Sequence, residues 1–388
     1  MRPRTGGQLL ERATPPPASP PAVDWPSRDQ QTQGNRVDKG RRWMQVDSLP
    51  HPLVCSRLMN LDIPLALVLL IGLSLVFDFL NGFHDSSNIV ATVIFSGAMP
   101  PRPALLIAAA AHFAGPFLFG VAVATTVGDG LVDIDLLHTS VVISALLSAV
   151  VWNLVTWYLG IPSSSSHALV GGLIGAAIVA NGPGVVLIPG LVKILIALLV
   201  SPPLGLLTGF VIMQITLWLG RGAAPSINNL FRRLQVLTLV GLGLSHGTND
   251  GQKTMGVITL GLVVSGRLDH FAVPLWVVAV SASAIALGTS LGGWRLIRTL
   301  GGKMFRIRPI HGFTSQIAGA SVILGAALLG GPVSTTQVMS SAIMGVGAAE
   351  RISQVRWMIL RDMLVAWLLT IPVTAGLAAL AWLVLPAL

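Results

Sequence analysis

Gly82-Phe83-His84-Asp85-Ser86-Ser87-Asn88 interrupts a long apolar stretch, and a related heptad, Gly247-Thr248-Asn249-Asp250-Gly251-Gln252-Lys253, does the same 165 positions later. A second polar motif follows each of them. Pro162-Ser163-Ser164-Ser165-Ser166-His167, with Gly175 beyond it, corresponds to Pro332-Val333-Ser334-Thr335-Thr336-Gln337, with Gly345 beyond it, at an offset of 170. Two motifs that recur in one order at nearly one spacing mark an internal duplication.

The background to these motifs sets the fold class. The 388 residues are 53% hydrophobic and only 10% charged, where soluble domains carry about a quarter charged residues. Long, nearly charge-free stretches recur from about residue 60 to the end. Too many of them exist to hide inside a water-soluble core, so most of the chain belongs in lipid as an all-α polytopic membrane protein. The net charge of +9 comes from a tail and from loops, which membrane orientation accounts for without a nucleic-acid partner. With Cys55 the one cysteine, no disulfide or thiolate cluster can form within the chain, and neither a metal site nor a cofactor is expected.

Ten spans are expected, near 61–96, 103–126, 138–160, 164–182, 185–219, 234–264, 274–291, 312–330, 334–349 and 356–387. The first reads as long and interrupted, and the fifth, with Pro202-Pro203 in its middle, as bent. Loops after odd-numbered spans carry Arg102, Arg221, Arg232, Arg233, Arg295, Arg298, Lys303, Arg306, Arg308, Arg351, Arg356 and Arg361, against Arg267 alone after even-numbered ones. That bias puts the odd loops in the cytoplasm and both termini on the outer side of the cell's inner (plasma) membrane. Residues 1–58 are rich in Pro and Arg and read as a disordered tail. Their nine basic residues contradict the orientation, and a true start at Met44 or Met59 would remove the conflict.

Each half, 59–220 and 234–388, holds five spans, an odd number, so the second half enters the membrane opposite to the first. Inverted repeats of this kind, with interrupted or re-entrant helices at the site, form a transporter architecture that holds its cargo near mid-bilayer. Asp85 and Asp250 lie inside apolar spans, where a carboxylate costs roughly 2.5–3.5 kcal/mol and is kept for a partner or a task. The natural partner is a coupling cation, H⁺ on the carboxylate or Na⁺ held by it together with the amides of Asn88 and Asn249. Ser164, Ser165, Ser166 and Ser334, Thr335, Thr336 stand at helix starts, whose free N–H groups and positive dipole ends favour an anion such as phosphate. Lys253 reads equally as an anion contact or as a counter-ion to Asp250. His84 and His167 are placed to couple protons or simply to hydrogen-bond, since Asn249 and Gln337 replace them in the second half. Structural readings stand beside these: acids paired only for packing, and hydroxyls as ordinary caps. No Walker A motif occurs, and adjacent residues such as Ser166 and His167 do not face each other on a helix, so the chain is not expected to be an enzyme.

At these motifs the chain resembles the inorganic phosphate transporter (PiT) family, bacterial low-affinity branch. The likeness rests on Phe77-Asp78-Phe79-Leu80-Asn81-Gly82-Phe83-His84-Asp85 with Asn88, on Trp152-Asn153 through His167, on Ser245 to Lys253, and on Pro332 to Thr336 leading to Gly345. It implies symport of phosphate with H⁺ or Na⁺, as the free anion or as a neutral metal complex, at a site built from the aspartates and hydroxyls. A homodimer in membrane lipid is entertained as the assembly. A sulfate or other oxyanion permease, a passive anion channel and a non-transporting sensor are the rival readings.

Overall fold

The computed structural model describes residues 64–385, which are helical apart from short connections and one isolated bridge between Val132 and Val186. Twelve α-helices follow one another among the described residues: α1 Leu65–Phe95, α2 Pro101–Phe119, α3 Ala122–Gly128, α4 Thr139–Leu159, α5 Ser165–Asn181, α6 Ile188–Leu219, α7 Ile227–Val264, α8 Leu275–Leu291, α9 Trp294–Arg298, α10 Pro309–Leu328, α11 Thr335–Glu350 and α12 Trp357–Val384. Each of the ten expected spans contains a helix. Five of them, α1, α2, α4, α6 and α12, are long and apolar enough to cross a membrane, and α8 qualifies together with the segment after it, from which it is bent by 59°. The 38-residue α7 is long enough, at about 1.5 Å per residue, but the polar run from Ser245 to Thr254 at its centre dilutes its apolarity. The tail at 1–58 lies outside the described residues.

One expectation about continuity is corrected. The first span is not interrupted: α1 runs unbroken for 31 residues, with the polar motif inside it. The fifth is one helix with Pro202 and Pro203 inside it. The breaks fall instead between α2 and α3, at Gly120 with φ +79, and between α8 and α9, at Gly292 with φ +74. Those left-handed glycines end one helix and turn the chain into the next. Side chains from the motif helices close both gaps. Gln252 on α7 accepts from the first amides of α3, Val123 N at 2.7 Å and Ala124 N at 3.3 Å, and Ser86 on α1 accepts from Gly293 N at 2.9 Å, just ahead of α9. The motif helices stay whole because their side chains supply the capping that the broken helices need.

Helix packing proceeds in matching pairs. α1 lies against α8 as α7 lies against α2; α5 against α12 as α11 against α6; α4 against α1 as α10 against α7; α4 against α5 as α10 against α11. Glycines permit the closest approaches. A Cβ at Gly82 would sit 2.0 Å from the Ile285 carbonyl oxygen on α8, and one at Gly247 would sit 2.1 Å from that of His112 on α2. These helices therefore touch backbone to backbone, as small residues allow in membranes. Connections after the first, seventh and ninth spans meet, where Phe95, Ser96, Gly301, Arg308, Glu350 and Arg356 line a cleft of about 840 Å³. Asp129, Leu187 and His270, from loops after even-numbered spans, line another. Leu199 and Leu207 on α6 and Leu368 on α12 are more than half exposed, at 64%, 57% and 72%. Such outer faces suit lipid.

Candidate functional site

The short helices α5 and α11 begin at the two hydroxyl clusters. Ser164 caps α5 by accepting from His167 N at 3.2 Å, and Ser334 caps α11 by accepting from Gln337 N at 3.4 Å. Both are Ncap-to-N3 bonds, the geometry that serines favour because it satisfies an otherwise orphaned amide. Ser164 and Ser334 are thus engaged in starting their helices, and Ser164 Oγ also meets His167 Nδ1 at 2.6 Å. The residues that follow point to the motif helices. Ser165 Oγ donates to Asn81 Oδ1 at 2.6 Å. Ser166 Oγ donates to Val333 O at 3.1 Å. Thr336 Oγ1 lies 3.0 Å from Asp85 Oδ1 and Thr335 Oγ1 lies 3.4 Å from Asp85 Oδ2, both as donors.

Around these starts the two acidic motifs meet. Asn88 Nδ2 donates to Asp85 Oδ1 at 2.6 Å and reaches Thr336 Oγ1 at 3.0 Å. Lys253 Nζ donates to Asp250 Oδ1 at 2.6 Å, to Ser166 Oγ at 2.6 Å and to Val333 O at 3.0 Å. Asp85, Asn88, Ser166, Asp250, Lys253, Thr335 and Thr336 are all buried. Of the remaining expected residues, Asn249 Nδ2 holds Gly331 O at 3.2 Å, in the turn before α11. His84 is buried, with Nε2 lacking a partner. His167 is held by Ser164 Oγ, and neither imidazole hydrogen-bonds Asp85, Asp250 or Lys253.

Three further groups join the cluster: Asp78, which the sequence places on the same face of the helix as Asp85, and two histidines that sequence reading missed. Asp78, two turns before Asp85 on α1, accepts from Thr254 Oγ1 of α7 at 2.7 Å. His246 sits one turn before Asp250 with Nδ1 3.3 Å from Asp250 Oδ2. His112 on α2 turns its ring toward His246, with centroids 6.1 Å apart, and its Nδ1 is fixed by Thr289 Oγ1 at 2.7 Å. Asp250 thereby faces two ways, with one oxygen on Lys253 and the other toward a pair of buried imidazoles. A buried carboxylate in an apolar span is the signal that marked Asp85 and Asp250, and it applies equally to Asp78. The histidines carry no comparable signal.

Three buried carboxyl groups, Asp78, Asp85 and Asp250, stand here against one ammonium. Uncompensated charge in a dry interior is costly, so an anion can join this cluster only in the company of cations. The free amides and positive dipole ends of α5 and α11 supply the attraction for that anion, and the carboxylates supply the attraction for the cations.

Comparison with known proteins points the same way. A model of the phosphate transporter family matches residues 81–378. The chain is similar to a probable low-affinity inorganic phosphate transporter of Bacillus subtilis (strain 168), with 42% identity over 330 residues that cover 84% of this chain and 99% of that one. A protein of the same description from Rhizobium meliloti (strain 1021) is 42% identical over 327 residues, covering 83% of this chain and 98% of its own length. Another, from Mycobacterium tuberculosis (strain ATCC 25618 / H37Rv), is 44% identical over 323 residues, covering 82% and 77%. A solved structure described as the sodium-dependent phosphate transporter superposes with a TM-score of 0.75 and 25% identity, covering 83% of this chain and 99% of that one.

Proposed function

Since the chain belongs to the phosphate transporter family, and is a multi-pass membrane protein, we propose that it is a secondary active symporter that moves inorganic phosphate, free or as a neutral metal complex, together with H⁺ or Na⁺. The observation that carries this reading is the convergence of two helix starts, α5 and α11, on Asp85, Asp250 and Lys253 in one buried cluster. Phosphate is held by the N–H groups and hydroxyls at Ser165, Ser166, Thr335 and Thr336; Asp85 and Asp250, with the Asn88 and Asn249 amides beside them, supply the places for positive charge.

The halves at 59–220 and 234–388 are, in this proposal, inverted repeats. The matching helix pairs support it. So do the contacts across the halves, where the first motif's Asn88 reaches Thr336 and the second motif's Lys253 reaches Ser166. Coupling then follows from hydrogen bonds already in place. Thr335 and Thr336 spend their hydroxyl protons on Asp85. A cation or proton that takes over those carboxylate oxygens frees both hydroxyls to donate to phosphate, so each ligand improves the site for the other. The protein resides in the inner (plasma) membrane, with the arginine-rich odd loops in the cytoplasm.

Labelled phosphate uptake into proteoliposomes, under separately imposed Na⁺ and pH gradients, tests the proposal. Concentrative uptake driven by one of these gradients is the expected result. Uptake that follows only voltage and phosphate concentration would mean a channel, and full inhibition by equimolar sulfate would remove the phosphate assignment.

A further inference from the structure

Asn88 and Lys253 occupy corresponding places in the two heptads, and their head groups make corresponding contacts. Asn88 Nδ2 bridges the carboxylate three residues before it, Asp85 Oδ1 at 2.6 Å, to a hydroxyl of the other half, Thr336 Oγ1 at 3.0 Å. Lys253 Nζ bridges Asp250 Oδ1 at 2.6 Å to Ser166 Oγ at 2.6 Å. Ser166 and Thr336 are themselves 170 positions apart, the offset of the second motif. The two half-sites are therefore alike in carboxylate and hydroxyl, and differ in that one bridging group is a neutral amide and the other a charged ammonium.

The groups around the ammonium are all oxygens: a carboxylate, a hydroxyl and the Val333 main-chain carbonyl at 3.0 Å, in the turn before α11. That is the donor set by which unwound backbone and helix ends hold a monovalent cation in transporters of this architecture. On the opposite side, Asn88 presents an amide oxygen that is buried and without a partner, beside Asp85 and the two threonine hydroxyls. One half-site thus has a full set of oxygens already wrapped around a positive charge. The other has a carboxylate and hydroxyls of the same kind, with an amide oxygen left unsatisfied.

Building on the symporter reading, we propose that Lys253 is a tethered cation that fills the second of two mirror-related cation sites, so that only the half-site of Asp85, Asn88, Thr335 and Thr336 takes a mobile ion. The ammonium stays on the protein through the cycle. Its charge meets the incoming phosphate at every turnover but is not carried across with it. A mobile Na⁺ is excluded from the second half-site, and the chain moves one cation fewer per phosphate than it would with a neutral residue at position 253. A purely structural role, in which Lys253 does no more than neutralise Asp250, makes no statement about Na⁺.

Sodium itself is the probe. Equilibrium binding of radiolabelled Na⁺ to the purified full chain, in the presence of phosphate, is compared between the wild type and Lys253→Asn, which makes the two half-sites alike. The variant is expected to bind one more Na⁺ per chain. A tenfold rise in sub-saturating Na⁺ should then raise its phosphate uptake about tenfold more than it raises that of the wild type. An unchanged Na⁺ count in a folded variant overturns the proposal. Should Lys253→Asn be unstable, its melting temperature in NaCl against choline chloride decides the matter. Stabilisation specific to Na⁺, and larger than that of the wild type, is the expected result, and equal melting in the two salts overturns it. A wild type that takes up no phosphate would defeat the symporter reading while leaving the Na⁺ counts to be read, so the two failures are distinct.

Discussion

Replacing Asp85 and Asp250 in turn by asparagine should leave two transport-dead proteins of unequal stability. Asp250 is paired: Lys253 Nζ lies 2.6 Å from Oδ1, and the two side chains are 1% and 0% exposed. Asp250→Asn leaves the ammonium touching only neutral oxygens, the new amide, the Ser166 hydroxyl and the Val333 carbonyl, with its direct ion pair gone. Breaking a buried pair from one side in this way costs about 3–5 kcal/mol. Asp85 is different, because its hydrogen-bonding partners Asn88, Thr335 and Thr336 are neutral. Asp85→Asn withdraws one negative charge from a cluster with an excess of acid and keeps an amide oxygen as acceptor, so its cost should stay within about 1 kcal/mol. The double variant Asp250→Asn/Lys253→Met removes both charges and should recover most of what Asp250→Asn alone loses. Thermal unfolding of the detergent-purified chains reads the ordering, with concentrative phosphate uptake measured in parallel and lost in every variant. Equal destabilisation by Asp85→Asn and Asp250→Asn, or a double variant as unstable as the sum of its parts, would refute the charge assignment.

Close backbone contact makes Gly82→Ala and Gly247→Ala costly, since the new Cβ atoms would lie 2.0 Å and 2.1 Å from carbonyl oxygens of α8 and α2. A loss of about 1–3 kcal/mol each is expected by melting, whereas Gly72→Ala, with nothing within 4 Å, should lose none. In the arginine-lined cleft, Glu350 bridges Arg308 and His311 Nε2, the latter at 2.9 Å. Burial pushes the Glu350 carboxyl up, but the hydrogen bond and charge of Arg308, then those of His311, outweigh it and hold the group below the usual carboxylate range. A carboxyl depressed by folding contributes fully above its unfolded value near about 4.3, and that contribution fades as pH falls through the lower folded value. Glu350→Gln should therefore melt below the wild type at neutral pH, with the gap closing under about pH 4.

What could be read in advance follows from what one chain displays without its neighbours. Asp85, Asp250 and the hydroxyl runs stood out because polar residues in an apolar background demand a reason, and their repetition tied them together. The partners across helices were not legible. Thr254 is one of many threonines until α7 is laid against α1 and its hydroxyl meets Asp78, 176 positions away. His112, in the run Ala108-Ala109-Ala110-Ala111-His112, gives no sign that it will face His246.

The misplaced interruption has the same origin. A polar motif inside a span looks like a break, yet Asp85, Ser86 and Asn88 keep α1 helical by bonding across to other helices or back onto α1 itself. The need for capping passes to α3 and α9, whose starts are held by Gln252 and by Ser86. Position 253 is where reading by repetition alone falls short. Alignment of the heptads says that Asn88 and Lys253 correspond, and correspondence suggests a shared role. Only the oxygens gathered around the ammonium show why a symmetric scaffold can carry asymmetric charge: the second half-site already holds the positive charge that the first must take from solution.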